Sequence, residues 1–119
     1  MRGSEQVNIA QLPRAEVIAR LNDRLRKEGR GGQLVVTSGV YGLAGYDSQI
    51  LLKALADYNA FDADNDPHGE RDFGDIQVFN TDLLWKIDYY DVRLEFGSPD
   101  PADEAVTTRV LTVMLEREY

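Results

Sequence analysis

The sequence predicts an α+β two-layer domain in the order α-β-α-β-β-α, with helices on one face of a small, mainly antiparallel sheet. Three observations carry this. Residues 13–28 and 47–58 place apolar side chains at helical spacing. Two strand-period runs, 75–79 and 83–90, flank Asn80-Thr81-Asp82. A capped start at Asp100-Pro101 precedes a final apolar stretch.

The first helix is expected from about Pro13 to Glu28. Val17, Ile18, Leu21 and Leu25 make its stripe, and Arg14, Arg20, Arg24 and Lys27 make a basic outer face. Proline suits the first turn and Gly29 the left-handed stop. Residues 1–12 are expected to form a flexible N-terminal segment, and residues 13–119 a single domain. Gln33–Ser38 is rich in β-branched residues and reads as a strand. Gly39–Gly45 holds three glycines, but no Lys-Ser/Thr pair follows, so it reads as a turn and not a phosphate loop.

Asp47 can cap a second helix running to about Tyr58, with Ile50, Leu51, Ala54, Leu55 and Tyr58 as its stripe. A charged loop from Asp62 to Gly74 leads into the hairpin. Alternation puts Leu83, Trp85, Ile87 and Tyr89 toward the helices, and Leu84, Lys86, Asp88 and Tyr90 on the other face. Arg93–Phe96 is expected to add a short edge strand. A third helix is expected from Asp100, with Val106, Val110, Val113 and Met114 on one face.

Composition limits the function classes. The chain has 119 residues, no cysteine and a net charge of −8. There is no disulfide framework and no thiolate metal site. No apolar run approaches the roughly 20 residues needed to cross a bilayer, and the first residues lack the apolar core of a secretory signal. The expectation is a cytoplasmic protein without a membrane partner. Charge is uneven along the chain. Residues 1–30 carry seven Arg/Lys and four Asp/Glu, whereas residues 31–119 carry six and seventeen. An acidic surface of this kind repels nucleic acid and attracts basic partners.

The candidate site residues lie between the second helix and the hairpin. Asp62, Asp64 and Asp66 stand at the alternate positions used by calcium loops. Pro67 then occupies the place of the required glycine and Phe73 that of the bidentate glutamate, so no metal or other cofactor is expected. With Glu70, Asp72, Asp75 and Asp82 they form the expected partner-binding set. His68, Arg71, Lys86, Asp88 and Arg109 are expected to make a polar network, with a carboxylate from the loop or hairpin answering Arg109. No catalytic set is assigned. The competing enzyme reading is a small metal-assisted or acid/base centre built on His68, Glu70 and Asp72.

Four segments give the sequence a family likeness: Leu21–Gly32 (LNDRLRKEGRGG), Asn65–Gly74 (NDPHGERDFG), Trp85–Asp91 (WKIDYYD) and Ser98–Leu115 (SPDPADEAVTTRVLTVML). On these the chain resembles a family of small bacterial proteins designated domain of unknown function 3768. The likeness spans nearly all of the chain after about Ile9. The family pattern often places histidine after Gly-Glu, where this chain has Arg71. The resemblance implies an accessory role on mobile genetic elements and no particular reaction. The reading is therefore a non-enzymatic acidic interaction protein. Its partner would be a basic protein surface, and at its most specific it would be an anti-CRISPR or anti-restriction inhibitor filling a basic nucleic-acid-binding groove. The basic first helix and acidic remainder also allow pairing between copies as a homo-oligomer.

Overall fold

A computed structural model describes residues 11–119; most of the expected flexible segment 1–12 therefore lies outside the described residues. Helix α1 spans Arg14–Glu28 and stops where Gly29 turns left-handed (φ 70°) and donates its N–H to the Leu25 carbonyl. Strand β1 (Gln33–Val36) follows. The glycine-rich turn begins with a short helix, α2 (Ser38–Tyr41), because the Thr37 side chain caps it by accepting from the Val40 N–H. Helix α3 (Ser48–Asp57) starts at the expected cap, where Asp47 accepts from the N–H groups of Gln49 and Ile50. Leu51 and Leu55 are buried, whereas Ile50 faces solvent.

Strands β2 (Phe73–Val78) and β3 (Thr81–Tyr90) form the hairpin. Its turn is Phe79-Asn80, both at positive φ (55° and 56°), one step earlier than the sequence suggested. That is the turn geometry matching strand twist, although it favours glycine or asparagine. Packing of Phe79 on Tyr46, centroids 5.4 Å apart, compensates for an aromatic residue at the first position.

The expected third helix is a strand. After a 3-10 turn at Glu104–Val106, capped by Asp103, residues Thr108–Leu115 form β4. The apolar spacing of this segment fits both periods. Thr108, Val110, Thr112 and Val113 are β-branched, and such side chains lose rotamer freedom in a helix and fit a pleated surface. Pairing along all of β4, from Tyr90↔Thr108 to Leu83↔Leu115, settles it. Arg93–Phe96 forms a loop and not an edge strand, with only an isolated bridge between Tyr90 and Gly97.

The element order is thus α-β-α-α-β-β-β, and the α+β class holds. The sheet order is β1-β4-β3-β2. β1 runs parallel to β4, and the other two pairings are antiparallel. One face carries Leu83, Trp85, Ile87, Leu111, Val113 and Leu115, which join Leu25, Leu51 and Leu55 in the core. Gly74 on β2 is needed there. A Cβ would lie 2.6 Å from the Tyr58 ring and 2.7 Å from Trp85 Nε1. Among the described residues, no helix is long and apolar enough to cross a membrane.

Candidate functional site: the charged loop and its seat on helix α1

The core face of α1 is not wholly apolar. Asn22 and Arg26 are buried along with Ile18, Ala19 and Leu25. Arg26 lies against the rings of Phe61 and Trp85, 5.3 and 5.6 Å from their centroids. Its Nη1 donates to the carbonyls of Leu55 (2.7 Å) and Tyr58 (2.9 Å), and its Nη2 to Asp23 (3.0 Å). A guanidinium therefore ends α3, adding a donor to the carbonyls of its last turn and C-cap and positive charge at its negative end.

Asn22 organises a second buried group. Its Nδ2 donates to Tyr89 Oη (2.8 Å) and the Glu70 carbonyl (3.0 Å), and its Oδ1 accepts from Arg109 Nε (2.9 Å). Tyr89 in turn donates to Glu70 Oε1 at 2.8 Å. Arg109 also donates to the Pro101 carbonyl and lies over the Tyr89 ring. Burial lowers the Arg109 pKa and raises that of Tyr89. The expected carboxylate partner for Arg109 is replaced by an amide, a carbonyl and an aromatic face. Arg109 reaches these partners from strand β4.

The loop 58–72 is built from its own side chains. Asp62 accepts from the N–H groups of Asp64 (2.9 Å) and Asn65 (3.0 Å), and Asp66 accepts from that of Arg71 (2.9 Å). These are turn-forming contacts. Asn65 ties the loop to Tyr58 Oη and the Ala60 carbonyl. Arg71 adopts a left-handed backbone (φ 54°), and its guanidinium bridges to Asp23 (2.8 Å) and Glu16 (3.4 Å) on α1. Burial would lower the Arg71 pKa, but these carboxylates raise it overall, and hydrogen bonds from Arg20 and Arg71 hold Glu16 low. An open groove of about 490 Å³ runs beside this contact, lined only by charged residues, among them Arg20, Arg24, Lys27 and Arg71.

The expected residues separate into distinct places. Asp64, Asp75 and Asp82 are exposed. Asp62 and Asp66 brace the loop, and Glu70 is held by Tyr89. Asp72 is half-buried, and burial and then the neighbouring Glu70 charge raise its pKa. His68 is exposed and has no side-chain hydrogen bond among the described residues. Lys86 and Asp88 pair with each other on the sheet face turned away from the helices, so the expected five-residue network does not assemble. Arg71 and Arg109 occupy neighbouring but separate seats. Among the described residues, no three His, Cys, Asp or Glu side chains are grouped to hold a metal ion. The sequence pattern did not single out Asn22 or Arg26, and it placed Tyr89 toward the helices without a polar role. The signal was polar side chains at positions 22 and 26, in register with Ile18 on the apolar stripe.

Fold and site together define a small α+β protein with a polar seam beneath its first helix and an acidic loop and hairpin outside it. A family model described as "Protein of unknown function (DUF3768)" matches residues 36–118, and the chain belongs to this family. No curated protein and no solved structure matches it.

Proposed function

We propose that this chain is a non-enzymatic interaction protein that presents carboxylates to a basic protein surface. The supporting observation is the distribution of ion pairs. Among the described residues, none of Asp62, Asp64, Asp66, Glu70, Asp72, Asp75 and Asp82 pairs with a cation. Several cations are taken elsewhere: Arg14 by Asp100, Arg24 by Glu104, Arg71 by Asp23 and Glu16, and Lys53 by Asp57. The loop and hairpin therefore carry uncompensated negative charge on a pre-ordered backbone. Such a surface speeds encounter with a positive groove, and little ordering entropy is lost on binding.

At its most specific, the reading is a cytoplasmic inhibitor of mobile-element type. It would fill the nucleic-acid groove of a bacterial defence nuclease, as in anti-CRISPR or anti-restriction proteins. The acid/base enzyme reading has less support, because Glu70 is committed to Tyr89 and His68 is joined to neither carboxylate. The test is DNA binding and cleavage by a panel of purified guide-loaded nucleases and restriction enzymes, with wild-type protein and the Asp64→Asn/Asp75→Asn/Asp82→Asn variant. Inhibition that weakens with salt, competes with DNA and falls at least tenfold in the variant is expected. Inhibition unaltered by the triple change, or no effect on any nuclease, would refute the proposal.

A further inference from the structure

The loop joining β3 to β4 carries three large apolar side chains into solvent. Val92, Leu94 and Phe96 are 63%, 47% and 74% exposed. Single exposed apolar residues are ordinary, but three within residues 92–96 of one loop are a local concentration. The loop is held in shape. Asp91 accepts from the N–H groups of Arg93 (3.1 Å) and Glu95 (3.0 Å). The Asp91 N–H donates to the Phe96 carbonyl (2.8 Å), that of Leu94 to the Asp91 carbonyl (3.0 Å), and that of Ser98 to the Tyr89 carbonyl (3.0 Å). Leu94 itself has a left-handed backbone (φ 59°). Glycine or asparagine would adopt that conformation at lower cost, so neither turn geometry nor core packing accounts for a leucine here.

We propose that Val92, Leu94 and Phe96 form an apolar anchor that enters a hydrophobic pocket with a cationic rim on a protein partner. This rests on the acidic-interaction reading above and adds its short-range component. The rim follows from charge. Glu95 lies within the anchor loop and Asp103 in the turn that follows it, both exposed and without an ion pair among the described residues. Of the six acids in segment 88–104, Asp88, Asp100 and Glu104 are paired with Lys86, Arg14 and Arg24, which leaves Asp91, Glu95 and Asp103 against Arg93. The same charge decides against a lipid bilayer, whose anionic surface would repel it, and against a second copy meeting it through the same face, which would bring like charges together. An ordered knob also loses little entropy on binding, a property shared by interface residues that dominate affinity.

The experiment places p-benzoylphenylalanine at position 96, or at Lys53 on α3 as a control, in the full chain in a bacterial host. After irradiation, the protein joined through position 96 is identified and purified. Its affinity is then measured for wild type, Phe96→Ser, Leu94→Ser and the Asp64/Asp75/Asp82→Asn triple variant. Cross-linking at 96 and not at 53 is expected, with a loss of about 30-fold or more for Phe96→Ser, mostly in the dissociation rate. Circular dichroism and unfolding midpoints show that the serine variants fold. Flotation with phosphatidylglycerol vesicles and sedimentation of the protein alone complete the set. Products containing only copies of this chain, co-flotation with vesicles, no product at 96, or an unchanged affinity for Phe96→Ser would each overturn the anchor. If Phe96→Ser weakens binding while the triple variant and salt do not, the anchor survives and the acidic reading falls. The opposite pattern removes the anchor and leaves the acidic reading standing.

Discussion

The seam under α1 and the outer acidic flank are both rich in charge, yet they follow opposite rules. In the seam, Asn22, Arg109 and Tyr89 are each met by named partners, and the Arg26 terminal nitrogens by two carbonyls and a carboxylate, with its buried Nε alone left unpaired among the described residues. On the flank, Asp64, Asp75 and Asp82 reach solvent with no cation opposite them among the described residues. The first arrangement positions secondary structure. The second leaves charge available to another molecule. Charge density alone does not reveal a functional surface; what matters is whether the fold has already answered the charge.

Breaking the seam should have the largest effect. Arg26→Met keeps much of the side-chain volume but takes the guanidinium donor from the Tyr58 and Leu55 carbonyls, leaves Leu55 only a long contact from the Tyr58 N–H, and leaves Asp23 to Arg71. Loss of a buried charged partner costs about 3–5 kcal/mol, so the urea midpoint should fall far enough to leave the protein marginal. A shift below about 1 kcal/mol would mean that water replaces the guanidinium and the seam is not a closed structure.

Arg109→Met should cost somewhat less, about 2–3 kcal/mol, because one amide oxygen and one carbonyl lose a donor and no carboxylate is left behind. Asn22→Leu in the same chain should restore part of that loss, since one unpaired acceptor is then removed. A double-mutant cycle measures the coupling. Strict additivity would show that Asn22 and Arg109 do not act as a unit.

These two predictions concern the residues that the sequence disclosed least. The first two helices and the hairpin were legible because their signals are local: Asp47 as a cap, Gly29 as a stop, alternation along β3. The last strand was not. Asp100, Pro101 and Asp103 make a good helix start, and they do serve a turn there, with Asp100 accepting from the Ala102 N–H and Asp103 from that of Ala105. The helix then fails to propagate because β3 offers Thr108–Leu115 a full ladder of partners. A non-local pairing of this kind leaves no trace in helix-cap chemistry. The same holds for the site. The acidic loop was visible as composition, whereas the seat of Arg71 on Asp23 and the burial of Asn22 depend on elements distant in sequence. Misplacing Arg109 on a helix followed directly from the missed strand.

Asp72 stands between the two regions and gives a smaller, pH-dependent effect. Burial and the Glu70 charge raise its folded pKa above the model-peptide value of 3.8. The folded state therefore holds this proton more tightly than the unfolded chain. The group favours folding below 3.8, and that contribution is lost as pH rises through the raised folded value. Asp72→Asn should remove the dependence and raise the melting temperature at pH 7. Glu16, held low by Arg20 and Arg71, has the opposite sign: its contribution is present at neutral pH and lost as pH falls through the lowered folded value. Melting curves from pH 3 to 7 for Asp72→Asn and Glu16→Gln separate the two. Identical pH profiles would refute the assignment.

The smallest expected change in stability is also the sharpest test of the comparison. Asp64→Asn, Asp75→Asn and Asp82→Asn together remove three negative charges from side chains that hold no cation among the described residues. Each alone should alter stability by less than about 0.5 kcal/mol, and the set should be neutral or slightly stabilising because like-charge repulsion falls. Asp82 has one contact to lose, from Gln77 Nε2, and asparagine retains the accepting oxygen. The matched variant Asp62→Ala removes a loop brace and should cost about 1 kcal/mol through two orphaned N–H groups, even though the charge change is smaller. If the triple variant loses more stability than Asp62→Ala, the outer carboxylates are part of the scaffold. The distinction between answered and unanswered charge, on which the interaction reading depends, would then fail.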